Sequence, residues 1–181
     1  MAVTSEKLVE GAISVLWSSD TVDDLTVDRL AAHLHMSKST LYKHFEGLED
    51  LVYNVVEHIA DQTENDIASV GNGDGFLAVA EVYGRYSERL PTAFRGPRTK
   101  MPKSALLRLE SLENRLGERV FREVIDMGYP STTAYAIRSA FAGANKFLRV
   151  NVDVATEPNA AFSRRDAIMT LADTLLTGLA D

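Results

Sequence analysis

The stretch LTVDRLAAHLHMSKSTLYKHF, Leu25 to Phe45, decides how this chain folds. Val27, Leu30, Ala31 and Leu34 recur at helical spacing, and Thr26 stands where a hydroxyl caps the first turn. After HMSK, Leu41 and Phe45 lie four apart on a second short helix, for which Ser37 is the natural N-cap. That second segment, SKSTLYKHF, holds two lysines and a histidine and no acid, inside a carboxylate-rich neighbourhood. Two short helices joined by a tight turn, behind a longer first helix, make a unit whose second helix is held outward. Such a helix enters the DNA major groove by its N-terminal end. There Ser37, Lys38, Ser39 and Thr40 are small and hydrogen-bonding, while Tyr42, Lys43 and His44 flank them within reach of phosphate oxygens. A glutamate among these residues would face phosphates and be repelled.

Outward from this stretch, nearly every segment reads as helix. Thr4 precedes a stripe of Leu8, Ala12, Val15 and Leu16, widened by Val9, Ile13 and Trp17, which predicts a helix ending near Ser19. Beyond Gly47, Leu48, Leu51, Val52, Val55, Val56 and Ile59 share a face that predicts a long helix to about Ser69, with Glu49 and Asp50 in the first turn where the dipole favours carboxylates. GNGDG, Gly71 to Gly75, holds three glycines in five residues and is the expected joint between domains. A helix over Phe76 to Leu90 follows, then the proline-rich Pro91 to Pro102. Lys103 to Met127 resumes a long helix, which Gly128 caps and Pro130 stops. Two more helices are expected, from Ser131 or Thr132 to about Val150 and from about Asn159 to Leu179. The expected architecture is all-α, with a helix-turn-helix domain at 1–47, a connecting helix at 48–70 and a helical domain at 71–181.

The block LAAHLHMSKSTLYKHF, with its apolar first helix and the long helix opening EGLEDL, resembles the TetR family of bacterial transcriptional regulators over roughly the first 50 residues. The resemblance implies a homodimer whose N-terminal domains bind a palindromic operator and whose helical C-terminal domain dimerises and accepts a small effector. It also implies that Ser37, Lys38, Ser39 and Tyr42 lie at or near bases and that Thr40, Lys43 and His44 contact the backbone; Thr26 completes the expected DNA-facing set. Three features depart from the family pattern. His35 stands in the turn where glycine is frequent, and therefore calls for a positive φ. Leu48 stands where a phosphate-binding lysine is frequent. The third is charge: residues 1–70 carry 4 basic and 13 acidic side chains, a balance of -9, against 15 and 13, or +2, over residues 71–181. These departures imply few phosphate contacts and a shallow salt dependence. They also motivate an alternative, a TetR-like co-regulator that binds a protein partner and has lost operator binding.

In the C-terminal half, Phe76, Val79, Tyr83, Tyr86, Leu106, Leu109, Leu112 and Phe141 are the residue types that line an apolar ligand pocket, with tyrosine hydroxyls to orient the ligand. The same residues also suit an ordinary core. Arg95, Arg98, Lys100 and Lys103 form a basic loop that reads as solvated surface. Ala136, Ala140 and Gly143 give the penultimate helix a small-residue seam, with Phe147 beyond it, and Ile168, Leu171 and Leu175 give the last helix an apolar side. Donated by two subunits, these faces would make a four-helix dimer interface.

Other functions find little footing. The chain has no cysteine, which excludes thiolate metal sites and thiol catalysis. It has no GxSxG, no HExxH and no phosphate-cradling glycine loop after a strand, so no enzyme is expected. His33 and His35 are two apart and point to different sides, so no metal or other cofactor is expected. MAVTSEKLVEG is too polar for a secretory signal, and no apolar run approaches the roughly 20 residues of a membrane span. The expected location is the cytoplasm.

Overall fold

A computed structural model describes residues 4–71, 75–95, 101–151 and 163–180. Among them lie eight α-helices and no strand: α1 (Ser5–Trp17), α2 (Val27–His33), α3 (Lys38–Leu41), α4 (Leu48–Ser69), α5 (Phe76–Arg89), α6 (Lys103–Asp126), α7 (Ser131–Asn151) and α8 (Arg164–Ala180). Single 3-10 turns occupy Val22–Asp24 and Thr92–Arg95. The all-α expectation matches this architecture. Arg98, Lys100 and Asn159 lie outside the described residues, as do residues 72–74 of the expected joint.

The chain divides into two compact units, Met1–Ala60 with Pro91–Leu109, and Asp61–Leu90 with Glu110–Asp181. The division falls within α4 and again within α6. Helical periodicity cannot reveal such a division, because the stripe of each helix continues unbroken through it.

In the first unit, the Thr4 hydroxyl accepts the Lys7 N–H at 3.3 Å and opens α1. Leu8, Val9, Ala12, Val15 and Leu16 are buried along one side. Gly11 is needed on that side: a Cβ there would lie 2.7 Å from Cδ2 of Leu34, inside van der Waals contact. Arg29 of α2 secures the end of α1, donating to the Ser19 hydroxyl at 2.9 Å and the Ser18 carbonyl at 3.0 Å. A guanidinium at a helix C-terminus satisfies orphan acceptors and complements the dipole. Leu51, Val52, Val55, Val56 and Ile59 of α4 are buried, as are Phe94, Met101, Ala105 and Leu109. Glu57 binds α4 to α6 here, accepting from Tyr53 Oη at 2.5 Å and from Arg108 Nε at 2.9 Å.

In the second unit, α8 buries Arg164, Ile168 and Ala172, four apart on one face, and packs on α5. Gly84 of α5 allows the approach, since a Cβ there would meet Cα of Arg165 at 3.2 Å. Arg164 donates to the Leu90 carbonyl at 3.2 Å, and Arg165 to Glu81 at 2.7 Å. Arg115 pairs with Glu64. α6 ends at Gly128, whose φ of 90° suits a residue without Cβ. The Gly128 N–H reaches the Ile125 carbonyl at 2.8 Å and the Tyr129 N–H the Val124 carbonyl at 3.3 Å, a Schellman closure.

Candidate nucleic-acid interface

The helix-turn-helix is built residue by residue within the first unit. Thr26 caps α2 by accepting the Arg29 N–H at 3.1 Å. At the other end the Met36 N–H bonds the Ala31 carbonyl at 2.9 Å and the His35 N–H the Ala32 carbonyl at 3.3 Å. This is the same Schellman geometry, and it places His35 at the left-handed position with φ 51°, as expected from a histidine standing for glycine. The chain reverses there and delivers Ser37 to the start of α3.

Regular α-helix covers only four residues of α3; the chain then tightens through Tyr42–His44, with the Lys43 N–H on the Thr40 carbonyl at 3.3 Å and the His44 N–H on that of Leu41 at 3.0 Å. Leu41 and Phe45 are buried, as their four-residue spacing predicts. They fix which side faces outward. Ser37, Lys38, Ser39, Tyr42 and Lys43 are exposed, Tyr42 by 57%, while Thr40 and His44 are half-buried. A tyrosine exposed to that degree is not a core aromatic.

One expectation about this segment needs correction, another holds only in part, and two partners were not anticipated. Ser37 occupies the N-cap position, yet its side chain makes no cap bond. Its hydroxyl instead meets those of Ser39 and Thr40, each at 2.9 Å. The segment SKSTLYKHF is not one continuous helix. The basic edge also contains an acid: Lys38 forms an ion pair with Asp28 of α2, ten residues earlier. Linear distance hid it, although Asp28 sits in the first turn of α2, a usual place for a carboxylate. His44 Nδ1 shares a hydrogen bond of 3.1 Å with the hydroxyl of Ser5 at the start of α1. Thr26 is exposed at the start of α2, its oxygen already accepting and its O–H proton still able to donate.

The other expected sites are only partly assembled. Phe76, Val79, Tyr83, Tyr86, Leu112 and Phe141 are all buried in the second unit. Phe141 meets the rings of Phe76 and Tyr83 edge-on at 5.5 and 5.4 Å, and the Tyr86 hydroxyl donates to Glu113 at 2.9 Å. Leu106 and Leu109 belong instead to the first unit, because α6 passes through both. On α7, Ala136, Gly143 and Phe147 are exposed and Ala140 half-buried. Leu171 and Leu175 of α8 are half-buried. Ile168 is not surface but core, fully buried with Arg164 and Ala172. Lys103 is exposed; the side chain of Arg95 lies outside the described set. No group of three histidine or carboxylate residues able to hold a metal occurs among the described residues, and no described helix is long and apolar enough to cross a membrane.

Residues 11–55, from the close-packed Gly11 through α3 into α4, match the family model described as bacterial regulatory proteins, tetR family. An uncharacterized HTH-type transcriptional regulator of Mycobacterium tuberculosis is 32% identical over 104 residues, which are 55% of this chain and 47% of that protein. The match thus spans about half the length of that curated relative. Among solved structures, a transcriptional regulator from Rhodococcus sp. Rha1 superposes with a TM-score of 0.70 at 14% identity, covering 97% of each chain. PfmR, a TetR family transcriptional regulator from Thermus thermophilus, superposes with a TM-score of 0.68 at 20% identity, covering 96% of this chain and 98% of its own. At these identities the likeness concerns the fold.

Proposed function

We propose, from the match of residues 11–55 to the tetR family of bacterial regulatory proteins, that this chain is a homodimeric, cytoplasmic repressor that holds a palindromic operator and releases it when a small molecule occupies its second unit. The observation that carries this reading is the sidedness of α3: Leu41 and Phe45 buried, and Ser37, Lys38, Ser39, Tyr42 and Lys43 exposed on the opposite edge. Hydroxyls at the leading end suit base edges, and the phenol and ammonium suit phosphates. Two copies of α3 would read half-sites about 34–36 Å apart. Exposed Ala136, Gly143 and Phe147 of α7 support pairing of two subunits through α7 and α8. The aromatic cluster of Phe76, Tyr83 and Phe141 is the proposed effector region, opened by a ligand whose binding shifts the population toward a conformer that misses the operator spacing.

The test is binding to the DNA flanking the chain's own gene, measured by fluorescence anisotropy across a salt series. Tyr42→Ala and Lys43→Ala are each expected to weaken binding roughly tenfold, and the Lys43 change to lower the salt slope by about one. Variants that bind like the parent would end the assignment of α3 as the reading helix. A second reading, a co-regulator that docks a protein partner and no longer binds DNA, is favoured by the tie between Lys38 and Asp28 and by the -9 balance of residues 1–70. Absence of any salt-dependent DNA binding by the parent would support it.

A further inference from the structure

At the leading end of α3 a cation and an anion stand side by side. The Lys38 ammonium forms an ion pair with Oδ1 of Asp28 in the first turn of α2, and both side chains stay open to solvent, 58% and 75% exposed. Residues 22–47 are described without a break, so every charge that α2, the turn and α3 contribute is known. Arg29, the single arginine of this stretch, is committed elsewhere: it donates to the Ser19 hydroxyl, the Ser18 carbonyl and the Asp24 carbonyl at 2.9, 3.0 and 3.4 Å. Ser37, Ser39 and Thr40 bond one another, and a hydroxyl donates or accepts as its neighbour demands, so it separates bases poorly. The ion pair is different, because lysine only donates and an ionised carboxylate only accepts. Their contact fixes which stands where, and it leaves Lys38 further donors and Asp28 its second oxygen. A lone carboxylate at this edge would oppose phosphates; paired, it adds an acceptor without net charge.

The major-groove edge of a G·C pair presents the complement, since guanine N7 and O6 accept and cytosine N4–H donates. O6 and N4 are hydrogen-bonded to each other across the base pair at about 2.9 Å, a separation that a contacting ammonium and carboxylate can meet together. An A·T pair offers the ammonium thymine O4 alone, with a methyl group beside it. We propose that Lys38 and Asp28 act together as the reader of one G·C pair in each operator half-site, Lys38 donating to guanine and Asp28 accepting from cytosine N4. Such contacts require α3 in the major groove, so the role of the pair rests on the operator reading above; the base pair and its orientation go beyond it.

The experiment selects bound sequences from a pool of randomised duplexes with the full chain as parent, Asp28→Ala, Lys38→Met and Tyr42→Ala, then titrates the selected duplexes by anisotropy. The parent is expected to enrich one G·C pair at a fixed position in both half-sites, and to lose at least about tenfold in affinity when that pair becomes A·T in both. Asp28→Ala and Lys38→Met should keep the rest of the consensus and shrink that loss below about threefold, with the melting transition retained at these exposed positions. Removing a carboxylate raises affinity for every duplex, so the readout is the ratio between the two duplexes, which a merely steadying role of Asp28 would leave unchanged. A parent consensus without a fixed G·C pair, or one that Asp28→Ala leaves intact, would overturn the role of the pair while weakened binding by Tyr42→Ala still upholds α3 as the operator helix. A parent that enriches no sequence would overturn both.

Discussion

At His35 the backbone enters the left-handed region with φ 51°, a conformation that brings Cβ toward the following carbonyl and costs an L-residue about 1–2 kcal/mol. The Schellman closure of α2 requires it, so the strain is maintained by the fold. His35→Gly is expected to raise stability by roughly 1 kcal/mol, read as a higher melting temperature, whereas His35→Val should lower it. The need for positive φ was legible through the family resemblance, in which glycine is frequent at the position of His35. The choice of hydroxyl partners by Ser37 was not, since it turns on side-chain angles. A second residue-level effect concerns Asp24. The Thr21 backbone N–H at 2.8 Å stabilises its carboxylate and sets its pKa below the ordinary value, partial burial opposes this, and the Thr21 hydroxyl and Arg29 reinforce it. A pKa lower in the folded than in the unfolded chain contributes stability above the unfolded value, about 3.9, and that contribution is lost as pH falls through the folded value. The stability gap between the parent and Asp24→Asn should therefore be widest near neutrality and close in acid, as followed by circular dichroism melts from pH 7 to pH 2.

Among the elements, α3 is the instructive case. Four residues cannot sustain a helix by propensity, because nucleation costs more than so short a run returns. Leu41 and Phe45 hold it in place from beneath, and the Lys38–Asp28 pair steadies its leading end only weakly, both partners being mostly exposed. Asp28 matters more for charge than for stability. Asp28→Asn removes a negative charge beside the exposed edge of α3 and frees the Lys38 ammonium, so it should tighten DNA binding by roughly three- to tenfold at low salt and steepen the salt slope, with little change in melting temperature. The same anisotropy titration checks it; unchanged affinity would mean that Lys38 does not approach DNA. Helix positions were largely legible: α1, α4 and the end of α6 fall within a few residues of their periodic stripes and caps. The pairing of Lys38 was not, because it joins two helices across a turn whose geometry no linear pattern encodes.

For the whole molecule, residues 91–109 belong with the first unit. Their prolines broke the helical pattern, and the sequence offered no other sign of where they pack. A fragment comprising residues 1–70 lacks Ala93, Phe94, Met101, Ala105 and Leu109, all buried in the full chain. Loss of several buried apolar side chains costs about 2–5 kcal/mol each for the larger ones, against a typical total near 5–15 kcal/mol. The fragment is expected to show no cooperative melt above room temperature by circular dichroism; a sharp transition would mean that residues 91–109 are dispensable to it. The composition bias between residues 1–70 and 71–181 marked two regions of different charge, but charge follows the linear chain and compactness does not.

The interleaving of the two units has a consequence for how such chains can be recombined. A single crossover near the glycine-rich segment would carry off a helix-turn-helix head without the downstream piece that completes its interior. Two crossovers, one on each side of the 91–109 insertion, are needed in addition to the upstream cut, so a working chimera must inherit both parts of the head from the same parent.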